Sequence, residues 1–97
     1  MKIYLISYEI HEQLYDYSEL KDSICSISND VQHPFEPLWF IKSEKPLDIK
    51  KICDELTEKI NPACDKLYIA EIGGPDIYHT GWMPKTMWNW FKKSTNI

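Results

Sequence analysis

Residues 2–10, KIYLISYEI, are apolar on both sides of an extended chain. Ile3 and Leu5 point one way, and Tyr4, Ile6, Tyr8 and Ile10 point the other. A strand covered on one side alternates cleanly with polar residues, so this one is expected in the interior of a sheet with a cover on each face. That need for two covers constrains every later choice, because the chain has only 97 residues to provide them.

The remaining segments read as follows. Asp16 and Glu19 form a capping-box-like start, and Tyr17, Leu20, Ile24 and Ile27 recur at helical spacing, which predicts a first helix ending near Ser28-Asn29-Asp30. In VQHPFEPLWFIKS, Pro34 and Pro37 remove ladder donors, so two short strands meeting at a bend near Phe35–Pro37 fit better than one long strand. In the second of these strands Leu38 and Phe40 face one side, Trp39 and Ile41 the other. Pro46 suits a helix's first turn, and Ile49, Ile52, Cys53, Leu56 and Ile60 form an apolar stripe that stops at Asn61-Pro62. Lys66 to Ile72 predicts another strand with both faces substantially apolar, closed by the turn Gly73-Gly74-Pro75-Asp76. A last helix is expected from Pro84 to about Lys93, with Met87, Trp88 and Phe91 on one side and Trp90 off that stripe.

Strand, helix, two strands, helix, strand is the split β-α-β order of a ferredoxin-like α+β sandwich, a β-α-β-β-α-β core here followed by a C-terminal helical extension. The expectation is one domain over 1–97, with its core at 1–76 and the extension at 77–97. Two helices cover one face of such a sheet. The simplest cover for the other face is a second copy of the same sheet, which gives a homodimer.

Net charge is −4 at pH 7, with 43% hydrophobic and 27% charged residues. That composition belongs to a folded domain and excludes a generally basic, phosphate-gripping surface, so any nucleic-acid role must be local, weak or metal-assisted. No apolar run approaches a membrane span and no secretory pattern opens the chain, so no membrane contact and a cytoplasmic location are expected. Cys25, Cys53 and Cys64 show no Cys-x-x-Cys spacing and read as reduced thiols.

The first strand YLISYEI with a carboxylate near its end, then VQHPFEPLWFIK, a helix, and DKLYIAEIGG together resemble the small ferredoxin-like CRISPR-associated nuclease family, the second Cas protein of spacer acquisition, and its VapD-type toxin relatives. The wider pattern YLISYE…HPFEPLWFIK…DKLYIAEIGG…GWMPK is similar to small bacterial proteins labelled SinR-like. The resemblance covers most of the chain. It implies a carboxylate after an aromatic residue near a dimer axis, where two copies hold a divalent metal for phosphodiester cleavage of RNA or DNA. The matching residue is Glu9 after Tyr8, where the nuclease family has Asp; Mg2+ or Mn2+ is the implied ion.

Candidate site residues follow, each with two readings. Glu9 is a catalytic metal ligand or a strand-end carboxylate that is solvated or paired with lysine. His33 and His79 are proton donors or surface histidines, His33 being better placed beside the bend. Ser7 shares a strand face with Glu9 and contacts phosphate or permits close approach of two sheets. In GWMPKTMWNWFKK, aromatics interleaved with lysines suit nucleic-acid contact, with Trp90 and Lys92 the exposed candidates; the same pattern describes an amphipathic helix docked on its own domain.

Overall fold

Strand β1 (Lys2–Glu9) occupies an interior position in a four-stranded sheet of order β2-β3-β1-β4, with β2 at Asp30–Phe35, β3 at Leu38–Ser43 and β4 at Lys66–Gly73. Each neighbouring pair is antiparallel. Among the described residues three helices accompany the sheet: α1 (Ser18–Cys25), α2 (Ile49–Thr57) and α3 (Lys85–Lys93). The structure is a computed structural model and describes residues 2–11, 17–73 and 81–93. The architecture is a small α+β fold. Among the described residues no helix is long and apolar enough to cross a membrane.

The alternation of β1 sorts its side chains onto two cores. Tyr4, Ile6 and Tyr8 join Trp39 and Ile41 of β3 under Leu20 and Ile24 of α1, Leu56 of α2 and Ile60 just beyond it. Burying each such large apolar side chain contributes about 1.5–3 kcal/mol, so this face carries most of the hydrophobic stabilisation. The Tyr4 hydroxyl, buried with its ring, accepts the Leu47 backbone N–H at 2.9 Å and so is not an orphaned polar group.

The opposite face, which the sequence left for a second copy, is covered at one end by α3 of the same chain. Met87, Trp90 and Phe91 pack on Ile3 and Phe40, with Leu5, Leu38, Ile72, Met83 and Trp88 partly buried around them. Phe91 meets Phe40 edge-on, with ring centroids 4.9 Å apart. Polar contacts also fix the helix. The Trp90 indole N–H donates to Asp30 Oδ1 at 2.6 Å, and the buried Lys42 ammonium donates to the Trp90 carbonyl while lying 4.1 Å from the Trp90 ring centroid. A cation satisfying a carbonyl in a helix's last turn also complements the helix dipole. Trp90 is therefore not off the packed stripe. The stripe runs through 83, 87, 90 and 91, because a helix lying on a sheet buries a face wide enough to include the residue that finds a polar partner.

Several boundaries differ from the sequence reading. Helix α1 ends at Cys25, short of Ser28, because the Ser28 hydroxyl donates to the Lys42 carbonyl at 2.6 Å and accepts the Asp30 N–H, which turns the chain into β2. Asp16 lies outside the described residues, and Tyr17 occupies the N-cap without a side-chain cap. Helix α2 starts after Asp48, whose carboxylate accepts the Lys51 N–H at 3.1 Å, and not at Pro46. Pro34 is accommodated because β2 is an edge strand, with its pairing to β3 shifted between Gln32 and Phe35. Gly73 ends β4 at φ 104°, a conformation that favours glycine.

Candidate functional site

Ser7 and Glu9 share the sheet face of Ile3 and Leu5 but lie beyond the reach of α3. Ser7 sits between Leu38 and Tyr68, and Glu9 is opposite Lys66. Ser7, Glu9, Lys66 and Tyr68, with Tyr8, Pro37 and Leu67, line a shallow depression of about 540 Å³. Tyr68 leaves 64% of its surface open there, unusual for an aromatic residue in a strand. A carboxylate, a hydroxyl, a lysine and an aromatic ring thus converge on the open end of this face.

Glu9 is not solitary. Its Oε1 lies 3.1 Å from His11 Nε2, and both side chains are about half exposed. His11 is itself held from behind, since its backbone N–H donates to Asp65 Oδ1 at 2.9 Å. Asp65 also accepts the Asn61 N–H and the Tyr17 hydroxyl. The hydrogen bond from the His11 backbone, with those from Asn61, Tyr17 and Cys64, outweighs desolvation and holds the Asp65 carboxyl below its ordinary value. Glu9 and His11 are two donors, and among the described residues no group of three His, Cys, Asp or Glu side chains could hold a metal ion.

A second polar cluster stands on the other face, at the β2–β3 turn. The Trp39 indole N–H donates to the Tyr8 hydroxyl at 3.2 Å, and that hydroxyl donates to Glu36 Oε2 at 2.6 Å. Glu36 Oε1 lies 3.0 Å from the Lys21 ammonium of α1 and 3.2 Å from His33 Nε2. The His33 imidazole stacks flat on Trp39, with centroids 3.8 Å apart and planes inclined by 9°. Burial, reinforced by the Glu36 carboxylate, pushes the Tyr8 hydroxyl up to about 12. Desolvation works against ionised Glu36, but the Tyr8 and Lys21 hydrogen bonds and the nearby His33 and Lys21 charges win, so its carboxyl sits below the ordinary value.

Of the residues singled out in the sequence, the fold brings Ser7 and Glu9 together and separates both from His33, which belongs to the helix-covered face. Trp90 is only 8% exposed and its indole N–H is committed to Asp30, so it does not present a ring to a partner. Lys92 is exposed on α3. His79 lies outside the described residues. The sequence reading missed His11, Glu36, Lys66 and Tyr68. The first-strand alternation carried a signal for Lys66 and Tyr68 once β4 was placed beside β1, whereas the partners of His11 and Glu36 had no local signature. No protein-family model and no curated protein matches the chain.

Proposed function

We propose that the chain is a ferredoxin-like homodimer related to the small CRISPR-associated and VapD-type nucleases, cleaving RNA or DNA at a site built from Glu9 of both copies. The observation that carries this reading is the open end of the α3 face, where Ser7, Glu9, Lys66 and Tyr68 stand together beyond the helix. The strand order β2-β3-β1-β4, in which each strand–helix–strand unit spans an intervening antiparallel strand, supports the ferredoxin-like assignment. Exposed Tyr68 supports a second copy seated on this end. Two Glu9 carboxylates supply the hard oxygen donors that Mg2+ or Mn2+ takes while keeping several waters. Such an ion, when bound, activates water for attack on a phosphodiester. Lys66 neutralises the phosphate, and Ser7 donates a hydrogen bond to it. A cytoplasmic location is supported by three free thiols.

A second reading is a non-catalytic homodimeric module that binds a protein or nucleic-acid partner. The Glu9–His11 pair favours it, because a carboxylate already satisfied by an imidazole needs no metal. One experiment separates the two. Cleavage of mixed RNA and DNA is measured with Mg2+ or Mn2+ for the parent, Glu9→Gln and Tyr68→Glu, with light scattering on each. Under the nuclease reading Glu9→Gln removes the anionic oxygen donor that holds the ion without changing side-chain length, slows cleavage at least about 100-fold, and stays dimeric. Tyr68→Glu becomes monomeric and inactive. Equal residual cleavage by parent and Glu9→Gln removes Glu9 from the mechanism; a dimer without cleavage leaves the binding module.

A further inference from the structure

We propose that His33 is a stacking platform for one unpaired base of a single-stranded nucleic acid. The inference shares with the reading above a nucleic-acid ligand, but not its chemistry or its metal.

The geometry is that of a prepared surface. One face of the imidazole is committed to Trp39, at 3.8 Å and 9°, and the side chain still leaves 27% of its surface open. Trp39 is 5% exposed and its indole N–H donates to the Tyr8 hydroxyl, so the imidazole rests on a buried, hydrogen-bonded indole. The ring edge is fixed by Glu36, itself held by Tyr8 and Lys21. Three elements thus hold one small aromatic ring flat at the surface, and a base added to its outer face extends an existing stack at little ordering cost.

Charge decides how such a strand is held. The protein carries a net charge of −4, and Lys21, the cation at this corner, lies 3.0 Å from Glu36. The Glu36 carboxylate turns phosphates away and leaves the base faces as the part of a strand that fits. A single strand exposes those faces and a duplex hides them. Binding therefore rests on stacking, which tolerates any base, and has a shallow salt dependence, with a log–log slope of about −0.7 for at most one neutralised phosphate.

Labelled single-stranded RNA and DNA of one sequence, and the matching duplex, are titrated into the full chain without divalent metal at several salt concentrations. The parent is expected to bind both single strands and not the duplex. His33→Ala weakens binding roughly 5- to 150-fold, the range for one lost base stack, and His33→Phe keeps it. In the parent, the His33 ring proton resonances shift upfield as either strand is added, a readout independent of any variant's folding. Unchanged binding by His33→Ala, a salt slope of −3 or steeper, unmoved His33 resonances or failure of the parent to bind would overturn the proposal. Cleavage lost in Glu9→Gln with binding unaltered in His33→Ala would leave the nuclease reading standing alone; binding through His33 without cleavage would do the reverse.

Discussion

On the sheet face that carries Tyr4, Ile6 and Trp39, two helices spread their apolar side chains over the length of β1, and burial is shared among many residues. On the opposite face a single helix covers one end and is tied down by an aromatic cluster and two polar contacts, Trp90 to Asp30 and Lys42 to the Trp90 carbonyl. Shared burial fails only when the whole domain fails, whereas a helix held at a few points comes away by itself. The first face is where the fold is stabilised. The second has room for a partner because its cover is incomplete, and α3 is the element expected to open at least cost.

The largest effect tests the shared side. Leu56→Ala, at 1% exposure, is expected to destabilise the entire chain by about 2–5 kcal/mol, seen as a lowered urea midpoint reported alike by circular dichroism and tryptophan fluorescence. Separate midpoints from the two probes would contradict the cooperative picture. Lys42→Met comes next. Removing the ammonium leaves the Trp90 carbonyl without this donor and costs about 1.5–3 kcal/mol, borne by α3 alone. Hydrogen exchange would show α3 amides losing protection while those of β1 and β3 keep theirs; a uniform loss across the sheet would erase the distinction between the faces.

The smallest effect lies at the polar end of the shared side. The Tyr8 hydroxyl is pushed up to about 12, so the fold favours the neutral phenol. Its contribution is complete below pH 10, the ordinary value, and is lost as pH climbs from 10 to 12. Glu36 runs the other way. Its carboxyl is held below the usual 4.5, so its contribution is complete above that pH and fades as pH falls through the folded-state value. Tyr8→Phe is expected to cost about 1.5 kcal/mol at neutral pH and to remove the late step near pH 12 from the absorbance titration of the six tyrosines. A late step that survives in Tyr8→Phe would mean that another hydroxyl carries it.

The alternation in β1 and β3 was legible because a period of two is a local property: Leu38 and Phe40 parted from Trp39 and Ile41 as the residues require. The bend near Phe35–Pro37 was legible from the local chemistry of Pro34 and Pro37. Trp90 was misplaced because its position on the helix depends on Asp30, 60 residues away, and nothing in WNWFKK announces that partner. The open end of the second face was found through Ser7 and Glu9. The links that give the site its shape span greater distances, 54 positions from His11 to Asp65 and 28 from Tyr8 to Glu36, and such pairings are set by tertiary packing.

Asp65 grips His11 on one side of residues 12–16 and Tyr17 on the other, so both ends of that connection are moored to a single carboxylate. Losing that one carboxylate therefore frees two anchors at once, so a single substitution at Asp65 loosens the segment after β1 and the start of α1 together.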